Sequence, residues 1–206
     1  MSAVSTIEPT LRELRRQRAR ADIAATAIAL FREHGYDATT VDQIATAALV
    51  SPRTFYNYFP SKEDVLFYEV DAGTDAFRAQ VLASAATAGP FESVRRACLV
   101  VADHLDSRAD VELPRLALIA SVPALQARDH RTDTAFVDAI ATAVGSALGA
   151  DPDPSSPAHR RARMVAAATV AGLNEATALW VAGEGRPPLP TLVDELFATL
   201  GPLYPE

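Results

Sequence analysis

"VSPRTFYNYFPSKEDVL", Val50 to Leu66, decides how the rest of the chain is read. Ser51-Pro52 is a helix-start signal: a hydroxyl that can cap the first turn, then a proline at a position whose N–H would go unused anyway. Pro60 biases Phe59 away from helical angles and closes the element. The helix so bounded, Pro52 to about Tyr58, spans two turns, roughly 10 Å. At about 100° per residue, Phe55 and Phe59 share one side and can pack on neighbouring helices. Arg53, Thr54 and Asn57 take the opposite side, flanked by Tyr56 and Tyr58. A DNA major groove accounts for that exposed strip, because it admits one helix, arginine can read guanine and asparagine can read adenine. Tyrosine hydroxyls and the Lys62 ammonium suit phosphate oxygens. The other reading is a surface aromatic cluster that supports the next helix.

Upstream, Ile23, Ala27, Leu30 and Phe31 recur at helical spacing, with Ala24 and Ile28 widening the stripe. This helix should end near His34 with Gly35 as the left-handed stop. Thr40 and Gln43 form a capping box, and Val41, Ile44, Ala45 and Ala48 give the second helix its buried face. That helix, the tight turn at Leu49–Ser51 and the helix from Pro52 make a helix-turn-helix.

Downstream, Ser61 looks like the cap of a fourth helix, with Glu63 and Asp64 in its first turn and an end near Ser84. The helical pattern resumes after Gly89-Pro90 over Phe91–Ser107. An apolar segment over Leu116–Ala127 should be kinked or broken by Pro123, and a separate helix is expected over Thr134–Leu148. "GADPDPSSP", Gly149–Pro157, reads as a loop. A long helix follows from about Ala158 to Ala182, then a last one over about Thr191–Leu203. The expected fold is all-α: a basic arm and a three-helix DNA-binding domain in residues 1–66, then a larger helical domain in residues 67–206.

Composition fits this picture and narrows the function. Frequent alanine and sparse glycine favour helices. Cys98 is the only cysteine, which excludes an internal disulfide and a cysteine-built metal site. The net charge of −7 speaks against a polyanion partner until its distribution is seen. Residues 1–20 carry five arginines against Glu8 and Glu13. Residues 1–68 balance at eight basic and eight acidic groups, so the remainder holds the whole −7. One end suits nucleic acid and the other does not; a solvated charged helix face is the alternative. Arg12, Arg16 and Arg20 repeat every four residues with Arg15 beside them. They would track a phosphate backbone as a helix or enter a minor groove if extended, and a tail without fixed contacts is the third possibility. No apolar signal core follows them, and the longest uncharged apolar stretches, such as Ala139–Ala150, look too short to span a membrane. A cytoplasmic location without a membrane partner is expected. His34, His104, His130 and His159 are scattered. With no helical Glu-x-x-His pair, no glycine-rich phosphate loop and no Gly-x-Ser-x-Gly elbow, neither an enzyme nor a cofactor is expected. The alternatives are a helical protein-interaction module or a helical enzyme without DNA binding.

The segment "TAIALFREHGYDATTVDQIATAALVSPRTFYNYFPSKEDVLF" resembles the DNA-binding domain of the TetR family of bacterial transcriptional regulators. The resemblance runs without a gap from about Arg20 to Leu66. It rests on Phe31…Gly35-Tyr36, Thr39-Thr40-Val41, Ile44-Ala45 and Tyr56-x-Tyr-Phe-x-x-Lys62. It implies base-edge contacts from Pro52, Arg53 and Thr54, joined by Asn57 from the helical wheel. It implies phosphate contacts from Thr40, Tyr56, Tyr58 and Lys62. One departure stands out: the family often has glycine in the turn, and this chain has Leu49. Either the turn avoids a left-handed conformation, or it holds leucine in one under strain.

Beyond Leu66 the likeness is one of layout. It implies a homodimer on a pseudo-palindromic double-stranded DNA operator, joined through the last two helices. Val165, Thr169, Gly172 and Ala176, with Leu192, Leu196 and Leu200, read as that interface; closure of the monomer core is the alternative. It also implies a pocket for a small lipophilic effector, with Phe67, Cys98, Val101, Leu105, Leu118, Phe136 and Ile140 as candidate walls. His104, Asn174 and Glu175 are its candidate polar contacts. Ordinary core or surface roles are the alternative for each.

Overall fold

In the computed structural model, residues 10–68, 70–147, 153 and 155–203 are described. The chain divides into two compact units, Met1–Tyr68 and Glu69–Glu206. Among the described residues there are only helices and their connections.

The first unit holds α1 (Leu11–His34), α2 (Val41–Ala47), α3 (Pro52–Tyr58) and α4 (Asp64–Phe67). The start of α1 is a capping box missed in the sequence: Thr10 accepts from the Glu13 amide while the Glu13 carboxylate accepts from the Thr10 amide. The signal was the Thr-x-x-Glu spacing. At the other end Gly35 takes a φ of 87°, which a side chain would resist. Ile23, Ala24, Ala27, Ile28 and Phe31 form the buried stripe of α1, which packs against α2 and α4; Ile44, Ala45, Phe55 and Phe59 are buried in the same unit. The expected fourth helix is a correction. Ser61 donates to the Asp64 carboxylate at 2.7 Å instead of capping a first turn. The helix starts at Asp64 and Tyr68 keeps right-handed helical angles. Glu69 lies outside the described residues, and α5 begins at Val70.

The second unit holds α5 (Val70–Asp106), α6 (Ala109–Ser121), α7 (Pro123–Ala147), α8 (Pro157–Ala182) and α9 (Leu189–Leu200), then a 3-10 turn over Gly201–Leu203. α5 is interrupted at Gly89, whose φ of 76° and ψ of 163° break the helix just before Pro90. Pro123 does not interrupt a helix. It opens α7, which continues without a break through the region expected as a separate helix. Proline is at home in a first helical turn, where no backbone donor is needed. Most of Gly149–Pro157 lies outside the described residues; Ser156 caps α8 and Pro157 is its first residue.

α7 packs against both α5 and α8, and α9 against the same two. Their shared core includes Val81, Val94, Cys98, Ile140, Val144, Ala166, Trp180 and Phe197. One polar group locks this core. Asp106, the last residue of α5, accepts from Trp180 Nε1 and from the Leu189 amide, each at 3.0 Å. It thereby joins the end of α8 to the start of α9. Burial among apolar neighbours pushes the Cys98 thiol up, so it stays protonated and serves as a small apolar side chain.

The small residues of α8 also need correction. Val165, Thr169, Ala176 and Leu192 are buried within the single chain. A Cβ on Gly172 would collide with a Leu196 methyl, so glycine lets α9 come close to α8. These residues close the monomer core. The opposite face of α8 is exposed, with Met164 65% and Leu179 50% accessible. α8 is also long and apolar enough by length and composition to cross a membrane, contrary to the sequence reading. Met164–Ala182 contains only one charged residue, Glu175. Alanine-rich burial on one side and small exposed residues on the other produce that composition.

Candidate nucleic-acid interface

The turn before α3 is the Schellman end of α2. The Val50 amide donates to Ala45 O at 2.9 Å and the Leu49 amide to Thr46 O at 3.2 Å. In such an end the residue just past the cap, the donor of the shorter-range bond, takes a left-handed conformation, usually as glycine. Leu49 takes it here, with φ 56°. Its side chain is 93% exposed, so no burial offsets the strain. Of the two alternatives left by the sequence, the strained one holds.

Ser51 then starts α3 by accepting from the Thr54 amide at 3.0 Å, and its hydroxyl lies 2.8 Å from that of Thr54. Phe55 and Phe59 are fully buried, their rings 5.6 Å apart. Burying such a side chain contributes about 1.5–3 kcal/mol, which fixes the rotation of a helix too short to hold itself. Pro52, Arg53, Tyr56 and Asn57 are exposed, while Thr54 and Tyr58 are half-buried. The short helix therefore presents a donor-rich strip held in one orientation. Thr40, exposed at the start of α2, caps it through the reciprocal box with Gln43. Its hydroxyl serves the helix and stays open to solvent.

Two basic residues have partners that the sequence did not reveal. The Lys62 ammonium donates to Tyr36 O at 2.8 Å and Thr39 O at 3.2 Å, and lies 4.2 Å from the Tyr36 ring centre. It ties down the loop that leads into α2, with one N–H remaining for another acceptor. Tyr36 in turn donates to Glu63 at 2.6 Å and holds that carboxyl below its ordinary range. Arg20 lies over the rings of Phe59 and Tyr68, at 5.3 and 5.5 Å, with its Nε buried and unpaired. It braces the end of α3 by cation–π contact.

The effector candidates divide. Cys98, Val101 and Leu105 on α5, with Phe136 and Ile140 on α7, belong to one apolar cluster. Phe136 packs edge-on against Phe77 at 5.1 Å. Leu118 is half-buried on α6, and Phe67 is buried on α4 in the first unit. The three polar candidates are exposed: His104 lies 3.4 Å from Arg108, Asn174 donates to Asp133 at 2.8 Å, and Glu175 is also on the surface. The structure does not bring them to the apolar cluster. A groove of about 270 Å³ lies elsewhere, lined by Arg161, Met164, Val165 and Pro202. The sequence reading also passed over Glu112 and Arg115, a largely buried pair 2.7 Å apart on α6. Their spacing of three was its only signal.

Residues 23–68 match the family model for bacterial regulatory proteins of the tetR family, and residues 88–205 match that for the MftR C-terminal domain. The HTH-type transcriptional regulator TcmR of Streptomyces glaucescens is 30% identical over 151 residues, covering 70% of this chain and 67% of that protein. Among solved structures, FadR of Thermus thermophilus, a TetR-family transcriptional repressor in complex with lauroyl-CoA, is 27% identical. It superposes with a TM-score of 0.54 over 88% of this chain and 92% of that one. The fatty acid degradation regulator FadR of Bacillus halodurans shares the fold with a TM-score of 0.62, at 21% identity over 88% of this chain and 94% of that one. With a helix-turn-helix built on buried Phe55 and Phe59 and a second helical unit of the matching kind, this chain belongs to the TetR family of transcriptional regulators.

Proposed function

We propose that the chain is a cytoplasmic, ligand-responsive repressor that binds a pseudo-palindromic operator as a homodimer and leaves it when a lipophilic effector binds the second unit. The observation that carries this reading is the exposed strip of α3, Pro52, Arg53, Tyr56 and Asn57, on a helix locked by fully buried phenylalanines. Arg53 and Asn57 meet base edges together with Pro52 and Thr54. Tyr56, Tyr58 and Thr40 meet phosphates, and Lys62 offers its remaining N–H to the backbone. The exposed face of α8, with Met164, Ala167, Ala171, Ala178 and Leu179, is the surface for a second copy. Its small side chains let two helices approach closely. The T. thermophilus FadR complex with lauroyl-CoA makes a fatty acyl-CoA the first effector class to try. The apolar cluster around Cys98, Phe136 and Ile140 suits an acyl chain.

The test is a mobility shift on DNA upstream of the chain's own gene, with and without lauroyl-CoA. Specific retention that the acyl-CoA reverses is expected. Retention no stronger than on random DNA at low salt would sink the operator reading. An effector that binds equally well with and without operator would sink its role, because coupling between two ligands is reciprocal.

A further inference from the structure

The first turns of α1 carry charge that the reading helix does not use. Ile23 is the first buried residue of α1, and Leu11 to Arg18 are all exposed. The helix nevertheless stays regular to Leu11 and is closed by the Thr10–Glu13 box. An isolated helix this short would be marginal, but here the turns extend an already packed helix and need no new nucleus. Arg12, Arg15, Arg16 and Arg18 project from them against one carboxylate, Glu13, which Thr10 engages and holds below its ordinary range.

Arg20 fixes where these turns begin. It lies over Phe59, the residue that ends α3. The free part of α1 therefore leaves the domain beside the end of the reading helix. At about 100° per residue, Arg16 and Arg12 stand roughly 40° and 80° round from Arg20. Leu11 to Ala19 span roughly 13 Å by helix rise, which is about four base pairs at roughly 3.4 Å each. The guanidinium groups point to several sides of the helix. They do not form one edge that could read bases, but they suit a surface of diffuse negative charge.

We infer that this capped helical arm binds the phosphate backbone just outside each half-site, as a rigid helix and without reading sequence. The inference rests on the operator-binding reading above. An extended arm in the minor groove would have to give up the capping box and the helical hydrogen bonds of α1. The other acidic surface available is the second unit, since residues beyond 68 hold the whole net charge of −7.

The test uses the full chain and two variants, R12Q/R16Q and R12Q/R15Q/R16Q/R18Q. Glutamine has nearly the helix propensity of arginine, so circular dichroism should be unchanged. Binding is measured against salt on a random duplex of about 40 base pairs, and on the upstream operator fragment with and without about four flanking base pairs per side. The slope of log K against log salt should fall by about 0.9 for each phosphate contact removed, hence by two units or more in the fourfold variant. The ratio of specific to random binding should stay the same. Wild type should gain affinity from the flanks, whether they are A·T or G·C, and the fourfold variant should not. Equal slopes for wild type and variant overturn the inference and leave the operator reading standing. A preference for A·T flanks overturns the rigid helix in favour of a minor-groove arm. An unchanged slope with a weaker dimer in light scattering assigns the arm to the acidic unit instead. A wild type that binds none of these duplexes at low salt overturns both the inference and the reading beneath it.

Discussion

Replacing Leu49 with glycine should stabilise the first unit, although it removes a large apolar side chain. A left-handed conformation costs an L-residue roughly 1–2 kcal/mol, and Leu49 holds one at φ 56°. Glycine is free of that cost but loses about 0.5–1 kcal/mol more backbone entropy on folding. The leucine side chain is 93% exposed, so its removal forfeits almost no burial. The balance is a gain of about 0.5–1 kcal/mol. For a unit of this size that raises the melting midpoint by roughly 2–8 °C. Two controls separate backbone from side chain. Leu49→Ala keeps the Cβ and its strain, and should lie within about 0.5 kcal/mol of wild type. Leu49→Asn, which tolerates the left-handed region, should fall between alanine and glycine. Urea and thermal denaturation followed by far-ultraviolet circular dichroism give the ranking. If glycine proves no more stable than alanine, the strain assigned to this turn is wrong.

Four further outcomes are expected. Arg53→Ala should weaken operator binding by about 1–3 kcal/mol while leaving random DNA nearly unaffected, read as the ratio of the two affinities. Tyr36→Phe removes the hydrogen bond that holds the Glu63 carboxyl below its ordinary value of 4.5. Because the folded value is the lower one, that contribution is complete above the unfolded value and is lost as pH falls through the folded one. Urea titrations should therefore separate wild type from Tyr36→Phe near neutral pH and bring them together in acid. Asp106→Ala leaves two buried donors unpaired, on Trp180 and Leu189, and should cost about 2–4 kcal/mol; Asp106→Asn, which keeps an acceptor oxygen, should cost less. Ala171→Glu, on the exposed face of α8, should shift the protein towards monomer in light scattering. It should also weaken operator binding through loss of the tethered second half-site.

The elements legible in the sequence were those whose causes are local. The capping hydroxyls of Thr40 and Ser51, Pro52 at a helix start and Gly89-Pro90 at a break act within a few residues, so spacing alone placed them. The burial of Phe55 and Phe59 followed from helical rotation. Pro123 was misread because a proline that breaks a helix and one that opens a helix look alike until the preceding residue's backbone is known; Val122 turns out to be extended. The partners of basic side chains were less accessible still. An ammonium or guanidinium suited to phosphate is equally suited to a carbonyl or an aromatic face, and only the fold brought Tyr36 to Lys62 and Phe59 to Arg20. Asp106 was hidden for the same reason, since Trp180 and Leu189 lie far along the chain. The faces of α8 were confused because alanine and glycine suit close packing within a chain as well as between chains. The contact of Leu196 with Gly172 decided the matter.

Trp180 has an optical consequence. It is the only tryptophan in the chain, fully buried in the second unit with its indole N–H held by Asp106. Its emission therefore reports on that unit alone, in unlabelled protein and from a single environment. An acyl-CoA that rearranges α5, α8 or α9 should change the spectrum directly. Operator DNA, which touches only the first unit in the proposed mechanism, should change it only if the two units communicate. One cuvette titration with DNA thus separates a regulator whose halves are coupled from one whose halves merely share a chain.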